Sequence, residues 1–281
     1  MKHTRINLEL EVDKSFYIRP MSDLHYDSPH CDKKQLWNDL QEANDLDNCY
    51  VYLNGDTVSA LLPSDGKRFR NSATPEYARA CDDILNRTKD EVVKLIKKYP
   101  RIKWAGIGYG NHEVTVLKYH HYDIIKEVCR ETGVPRCGYS GWINFKVMRK
   151  GSGSGKMFTL MYHHGFPMGE VNNGMPWAER WSSKKGSWDI FIYGHNHGCL
   201  HKPAPFSDLG WDGWEHYVDR RIINAGTYEK MEPIDEDEIG SYPEMKGKSM
   251  SYIGSSLIKV TLRRDKSKGK DLIWFERRVI T

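Results

Sequence analysis

Five short polar clusters contain the side chains of this chain best suited to metal chemistry. The clusters are Asp23-Leu24-His25, Gly55-Asp56, Gly110-Asn111-His112-Glu113, His163-His164-Gly165 and Gly194-His195-Asn196-His197. They offer carboxylate and amide oxygens and imidazole nitrogens, without a thiolate. This donor set is too rich in nitrogen for Ca²⁺ or Mg²⁺ and suits a pair of borderline ions such as Mn, Fe or Zn. In an extended segment residues i and i+2 face the same way, so both members of each D-x-H or H-x-H pair could face the metals.

The clusters follow apolar runs that predict buried strands. The predicted strands are 15–22, 49–54, 102–108, 157–162, 188–193 and 220–225. Apolar residues at helical spacing predict helices at 32–47 and 115–131, the second ended by Gly133. A longer helix is predicted after Thr74 and Pro75. Because the carboxyl ends of the strands of an α/β sheet open onto one crevice, the sequence-distant clusters are expected to meet there.

A glycine-rich stretch at 150–156 superficially resembles a phosphate-binding P-loop. It lies between two strand-like runs, so a hairpin turn is the simpler interpretation. A P-loop would also need Gly at position 150 and Ser or Thr at position 157, where the chain has Lys150 and Met157. The motif is therefore excluded.

The five clusters, in this order and each behind an apolar run, resemble the signature of the calcineurin-like metallophosphoesterases over residues 23–197. Residues 222–227 are similar to the strand and asparagine-containing turn that follow the last histidine pair of that family, so the resemblance covers about residues 15–262. It implies an α/β fold, an αββα sandwich of two mixed β-sheets flanked by helices, with a dinuclear metal site at the carboxyl ends of the strands. Residues 1–281 are then expected to form a single domain with rim insertions. The insertions are expected at about 57–73, 166–187, 198–219 and 229–252, and the last one resembles those of phage- and prophage-encoded members.

The resemblance also implies a role for each residue of the clusters. Asp56 would bridge two divalent metal ions, one held also by Asp23, His25 and His197 and the other by Asn111, His164 and His195. His112 would stand over the scissile phosphate and protonate the leaving oxygen, and Glu113 would orient its neighbours from behind the ligands. The family pattern favours His164, directly before glycine, as the ligand, so His163 is expected at the rim or in packing. Mn²⁺ is the expected metal, with Fe, Zn and Ni as alternatives.

The implied reaction is hydrolysis of a phosphate ester by water that two ions activate. Protein phosphatases of the family have G-D-x-x-D at the second cluster, and Ser59 stands where that last aspartate would pair with the catalytic histidine. This departure disfavours a protein phosphatase and leaves open which group orients His112. We therefore predict a phosphodiesterase acting on DNA, RNA or a nucleotide. The alternatives are a phosphomonoesterase for small metabolites or phosphoproteins and, without catalysis, a metal-stabilised binding module.

Tryptophans next to cations occur in two of the expected insertions, and the predicted substrate rim is built from them. Its residues are Trp177, Arg180, Trp181 and Lys184. Such side chains could stack on bases and screen phosphates, as in grooves that bind single-stranded nucleic acid. The alternative is that the tryptophans simply pack irregular loops.

The amino-acid composition says little about which partners the protein binds. The 42 basic and 38 acidic residues give a net charge of +4, which neither demands nor excludes a polyanion. The six cysteines form no C-x-x-C pair, so reduced thiols in a cytoplasm are expected. The N-terminal segment lacks the apolar stretch of a secretory signal, and no apolar run reaches the roughly 18 residues that a membrane span needs. A cytoplasmic protein without a membrane partner is expected, and its oligomeric state stays open.

Overall fold

The computed structural model describes residues 2–62, 83–165, 174–209, 215–232, 252–265 and 272–280. Its strands are β1 (Lys2–Leu10), β2 (Ser15–Met21), β3 (Cys49–Leu53), β4 (Lys103–Ile107), β5 (Ser140–Arg149), β6 (Gly155–His163), β7 (Ile190–Tyr193), β8 (Cys199–Pro203), β9 (Phe206–Leu209), β10 (Glu215–Val218), β11 (Arg221–Ala225), β12 (Leu257–Asp265) and β13 (Leu272–Ile280). Its helices are α1 (Lys33–Asp45), α2 (Ile84–Lys97), α3 (Asn111–His120), α4 (Ile124–Thr132) and α5 (Met175–Ser183).

One mixed sheet has the strand order β13-β12-β2-β3-β4. Strands β2, β3 and β4 run parallel, so their carboxyl ends lie at one edge. Strand β3 is buried along its whole length, as expected for a parallel strand that is covered on both faces. Helices α1, α2 and α4 cover one face, where Leu36, Ile96 and Val128 pack in one cluster with Val51.

The second mixed sheet has the order β1-β5-β6-β7-β11-β8. Strands β5 and β6 form the hairpin predicted around the glycine-rich stretch, and β6, β7 and β11 run parallel. The two sheets pack face to face through large apolar side chains such as Phe16, Phe145 and Phe158. Helix α5 packs on the outer face through Trp177. The predicted mixed α/β architecture of two mixed sheets flanked by helices is confirmed.

The predicted helix 115–131 is wrong, because two helices occupy this region. Helix α3 begins at Asn111 and ends at His120, and the next residue, His121, has a left-handed φ of 54°. Asp123 then caps α4, and Gly133 ends it as predicted, with φ 75°. Because α3 begins earlier than predicted, the third polar cluster lies in the first turn of a helix.

Strands β1, β8, β9 and β10 are among those that the sequence analysis does not predict. Strand β1 pairs in parallel with β5 at a sheet edge, and only Leu8 and Leu10 of this strand are buried, so exposed charged residues obscure its pattern. The helix predicted after Thr74 and Pro75 corresponds to α2, and its earlier part lies outside the described residues, as do parts of all four predicted insertions. None of the helices in the described ranges is both long and apolar enough to cross a membrane.

Candidate metal centre

Four strand ends, two from each sheet, position the predicted ligands. Strands β2 and β3 end shortly before Asp23 and Asp56, and β6 and β7 end shortly before His164 and His195. These four residues offer ligand atoms that all lie within 4.8 Å of one another. A second such group is formed by Asp23, His25 and His197. The Asp56 half of the site is defined as Asp56, Asn111, His164 and His195, and the Asp23 half as Asp23, His25 and His197.

Backbone strain is concentrated in the same residues. Left-handed φ angles occur at Asp23 (51°), His25 (46°), Asp56 (47°), His195 (70°) and His197 (55°). This conformation costs roughly 1–2 kcal/mol for a residue with a Cβ atom. Such strain persists only where the surrounding structure imposes it, and it clusters at functional sites.

Two glycines allow the backbone to approach the carboxylates closely. A Cβ atom on Gly110 would overlap the side chain of Asp56, and one on Gly194 would crowd the carboxylate of Asp23. The N–H of His195, directly after Gly194, donates to Oδ2 of Asp23 at 2.9 Å. The close packing therefore requires glycine at the first position of the third and fifth polar clusters.

The Asp56 half is arranged around His164. Nδ1 of His164 lies 2.8 Å from the carbonyl oxygen of Asn54 and must donate to it, so Nε2 of the neutral ring carries a lone pair. This Nε2 lies 3.2 Å from both Oδ2 of Asp56 and Oδ1 of Asn111. Burial lowers the pKa of His164, but the charges of Asp56 and Asp23 outweigh it and raise the pKa to about 10. The convergence of these electron-rich atoms thus favours positive charge at this position.

The Asp23 half leaves one imidazole nitrogen available. Nε2 of His197 lies 3.4 Å from Oδ1 of Asp23, and its Nδ1 lies 3.4 Å from Oε2 of Glu229. Nδ1 of His25 lies 3.0 Å from the hydroxyl of Ser59, whereas its buried Nε2 has no hydrogen-bond partner in the described part of the chain. Burial lowers the pKa of His25 to about 4, so the ring is neutral and can bind a metal through Nε2.

The charges of the site match a pair of cations. Asp23 and Asp56 are 0% and 1% exposed. Burial would raise the pKa of both carboxyl groups, but neighbouring imidazoles, chiefly His197 and His164 respectively, hold it below its ordinary value. Burial lowers the pKa of His195 to about 4, and its Nδ1 finds no hydrogen-bond partner among the residues described. Two buried anions among imidazole and amide groups could therefore hold metal cations.

His112 lies where the two halves meet. It forms a third group of ligand-type atoms with His25 and Asp56, and its ring centroid is 4.9 Å from that of His25. Its backbone N–H donates to Oδ1 of Asp56 at 3.0 Å. Its Nδ1 lies 2.9 Å from the carbonyl oxygen of Ser59 and must donate to it. A backbone carbonyl is thus one group that orients His112, a question that the sequence leaves open.

Glu113 stabilises the loop that carries Asp56 through hydrogen bonds to backbone N–H groups. Its Oε2 accepts the N–H groups of Gly110 at 2.8 Å and Asp56 at 3.1 Å, and its Oε1 accepts those of Thr57 at 2.7 Å and Val58 at 3.2 Å. Burial and the charge of Asp56 raise the pKa of Glu113 to about 7, while the N–H donors favour the carboxylate. Glu113 therefore fixes the backbone around Asp56.

The two adjacent histidines have different surroundings. His163 lies outside the metal-ligand groups, and its Nδ1 accepts the N–H of Gly165 at 2.8 Å. Its ring packs 5.1 Å from the ring of Trp177 and 4.8 Å from the ring of Trp181. The structure thus places His163 in a packed aromatic cluster and His164 among the ligand-type residues.

The four predicted rim residues lie on or directly after α5. Trp177 is 8% exposed within the apolar cluster on the outer sheet face. Its prediction as a substrate-rim residue is therefore corrected, because a packed ring cannot stack on a base. Trp181 is half-buried and stacks on Phe191 with centroids 5.2 Å apart, while Arg180 and Lys184 are exposed.

Three supporting residues escape the sequence analysis: Asn54, Asp27 and Glu229. Asp27 accepts the N–H groups of Ser59 and Ala60 at 2.6 and 2.8 Å. A signal for Asp27 exists, because it extends the D-x-H spacing to D-x-H-x-D. Asn54 acts through its backbone carbonyl and Glu229 comes from a distant part of the chain, so no local spacing reveals them.

Comparison with known proteins adds little to this picture. No family model matches the chain, and no curated protein matches it. Among solved structures, the chain is similar to the crystal structure of a metallophosphoesterase from Sphaerobacter thermophilus, with a TM-score of 0.38 and 14% identity, over 94% of this chain and 88% of that chain. Because this similarity is weak, function is inferred from the site alone.

Proposed function

We propose that this chain is a metallophosphoesterase that hydrolyses phosphate esters with two divalent metal ions. The proposed ligands are Asp23, His25, Asp56, Asn111, His164, His195 and His197. The observation that carries the proposal is their convergence at buried strand ends, where nitrogens of His25 and His195 lack hydrogen-bond partners among the described residues. A buried polar atom without a partner costs about 1–3 kcal/mol, and bound cations would remove that cost.

Two residues next to the proposed ligands would assist the reaction: Glu113 would position the Asp56 loop, and His112 would donate a proton. When bound, the two ions would hold the phosphate oxygens and lower the pKa of the attacking water. Glu113 holds the Asp56 loop between the two halves through its N–H contacts. His112, with Nδ1 fixed on the Ser59 carbonyl, would give the proton on Nε2 to the leaving oxygen and recover it from water. Water attacks phosphorus directly in this scheme, so no covalent enzyme intermediate is needed.

The proposed substrate is a phosphodiester of nucleic acid or of a nucleotide, and the proposed metal is Mn²⁺. One support is that Ser59 stands at the sequence position of the aspartate that a protein phosphatase of the family would have. The second support is that two exposed cations, Arg180 and Lys184, lie close in sequence to the half-buried Trp181. Cations next to an aromatic ring suit a phosphate backbone with adjoining bases.

Rates on two aryl phosphates test the proposal. With Mn²⁺, bis-p-nitrophenyl phosphate is expected to be cleaved faster than p-nitrophenyl phosphate, and EDTA is expected to abolish both activities until Mn²⁺ is restored. Much faster cleavage of the monoester would replace the diesterase proposal with a phosphomonoesterase. A protein that binds two ions but cleaves none of single-stranded DNA, duplex DNA, RNA, cyclic nucleotides and phosphopeptides would be a binding module instead.

A further inference from the structure

Ser59 contacts two histidines of the site through two different groups. Its hydroxyl lies 3.0 Å from Nδ1 of His25, and its carbonyl oxygen accepts from Nδ1 of His112 at 2.9 Å. Ser59 is buried, so water competes little for either contact. The two rings meet edge to face, with planes at 75°. One residue therefore contacts both a proposed ligand and the proposed proton donor.

Ser59 is itself held by Asp27. The two carboxylate oxygens of Asp27 accept the N–H groups of Ser59 at 2.6 Å and Ala60 at 2.8 Å. Ala60 has a left-handed φ of 46°, a backbone conformation that is strained for a residue with a Cβ atom. The buried carboxylate therefore stabilises a strained loop conformation that the chain would otherwise tend to leave.

We propose that Ser59 and Asp27 act as positioning residues that couple metal binding at His25 to proton donation by His112, an inference that rests on the proposed function. For His25 to bind a metal through Nε2, its Nδ1 must carry the hydrogen and donate it to the Ser59 hydroxyl. For His112 to give a proton from Nε2, its Nδ1–H must stay on the Ser59 carbonyl. A displacement of Ser59 therefore disturbs both histidines together.

Ser59→Ala tests the hydroxyl contact alone, because the carbonyl belongs to the backbone. The affinity for one of two Mn²⁺ ions is expected to fall at least about 10-fold, as for the loss of other outer-shell partners of a metal ligand. Calorimetric titration without substrate measures this affinity. Ser59→Thr keeps a hydroxyl and is expected to restore most of it. Unchanged affinity in Ser59→Ala, or an equal loss in both variants, would overturn the inference.

Asp27→Asn tests the anchor, because its amide N–H₂ group would face one of the two N–H donors. We expect weaker Mn²⁺ binding in this variant. We also expect a larger rate loss on methyl phenyl phosphate, which has a poor leaving group, than on methyl p-nitrophenyl phosphate, which has a good one. Only the poor leaving group depends on the proton from His112. Asp32→Asn is the matched control, since Asp32 accepts the N–H of Gln35 at the start of α1 and should leave both properties unchanged.

Equal rate losses of Asp27→Asn on both esters, or the same selective loss in Asp32→Asn, would overturn the role of Asp27. If Asp27→Asn does not fold, the Ser59 variants still decide whether Ser59 positions His25. The metal titration needs no turnover, so it tests the positioning role of Ser59 independently of the proposed phosphoesterase activity. A wild-type protein that cleaves no ester would contradict the proposed function, whereas the affinities of the Ser59 variants would still decide the positioning role.

Discussion

The two halves of the site support their histidines with different kinds of group. In the Asp56 half, Nδ1 of His164 donates to the backbone carbonyl of Asn54 at 2.8 Å. In the Asp23 half, Nδ1 of His197 faces a side chain, the carboxylate of Glu229, at 3.4 Å. A carbonyl contact survives most single substitutions, whereas a side-chain contact does not. The Asp23 half should therefore be the more sensitive one to changes outside the ligand set.

Asp56→Asn should have the largest effect, because it removes the charge that lies between the halves. The amide keeps the size of the side chain, yet the affinity for both ions is expected to fall more than about 100-fold, beyond the usual loss for an outer-shell partner. Metal content after dialysis and calorimetry measure this, with Asp32→Asn as the matched control. Retention of one tightly bound ion would mean that Asp23, which also belongs to two ligand groups, joins the halves instead.

His164→Asn should break the Asp56 half alone. The amide N–H₂ can still donate to the carbonyl of Asn54 from the place of Nδ1, but the Nε2 atom beside Asp56 is lost. We expect one ion to be lost, with affinity reduced by more than about 100-fold, while the ion of the Asp23 half stays. Two-site calorimetric titration distinguishes this from loss of both ions, which would contradict the separation of the halves.

His112→Ala should keep both ions and slow turnover. His112 contacts both halves, but its proposed role is proton donation, and loss of a general acid costs about 10²–10⁴-fold in rate. The loss should be greatest on esters with poor leaving groups, measured at saturating Mn²⁺. Full activity on such an ester would refute the acid role. Loss of an ion would instead make His112 a ligand, as its group with His25 and Asp56 allows.

Glu229→Gln should weaken only the Asp23 half. Loss of the carboxylate beside Nδ1 of His197 is expected to reduce the affinity for one ion about 10–100-fold. The exposed Glu232 provides a matched Glu→Gln control three positions along the chain. Equal weakening of both ions would remove the contrast between the halves.

The sequence predicts the strands that carry the ligands well and their supports poorly. Strands β2, β3, β6 and β7 are apolar runs and D-x-H and H-x-H are local spacings, so both are readable one segment at a time. The Asn54 and Ser59 carbonyls that hold the imidazoles carry no residue-type signal, because every residue has a carbonyl. The sequence predicts Trp177 at a rim because tryptophans and cations alternate in an expected insertion, and this local pattern does not reveal that helix α5 packs Trp177 on the sheet. The break at His121 depends on a left-handed residue that helical spacing does not reveal.

His163→Asn should have the smallest effect. It tests which of the two adjacent histidines, His163 or His164, binds the metal. The amide oxygen can still accept the N–H of Gly165, so the main loss is the ring contact with Trp177 and Trp181. That contact contributes about 0.5–1.5 kcal/mol to the free energy of unfolding, which urea denaturation can measure. Both metal affinities should match the wild type, in contrast to His164→Asn. If His163→Asn lost an ion and His164→Asn kept both, the metal ligand would be His163. The Asp56 half would then contain His163, whose ring packs against Trp177 and Trp181 in this structure, in place of His164.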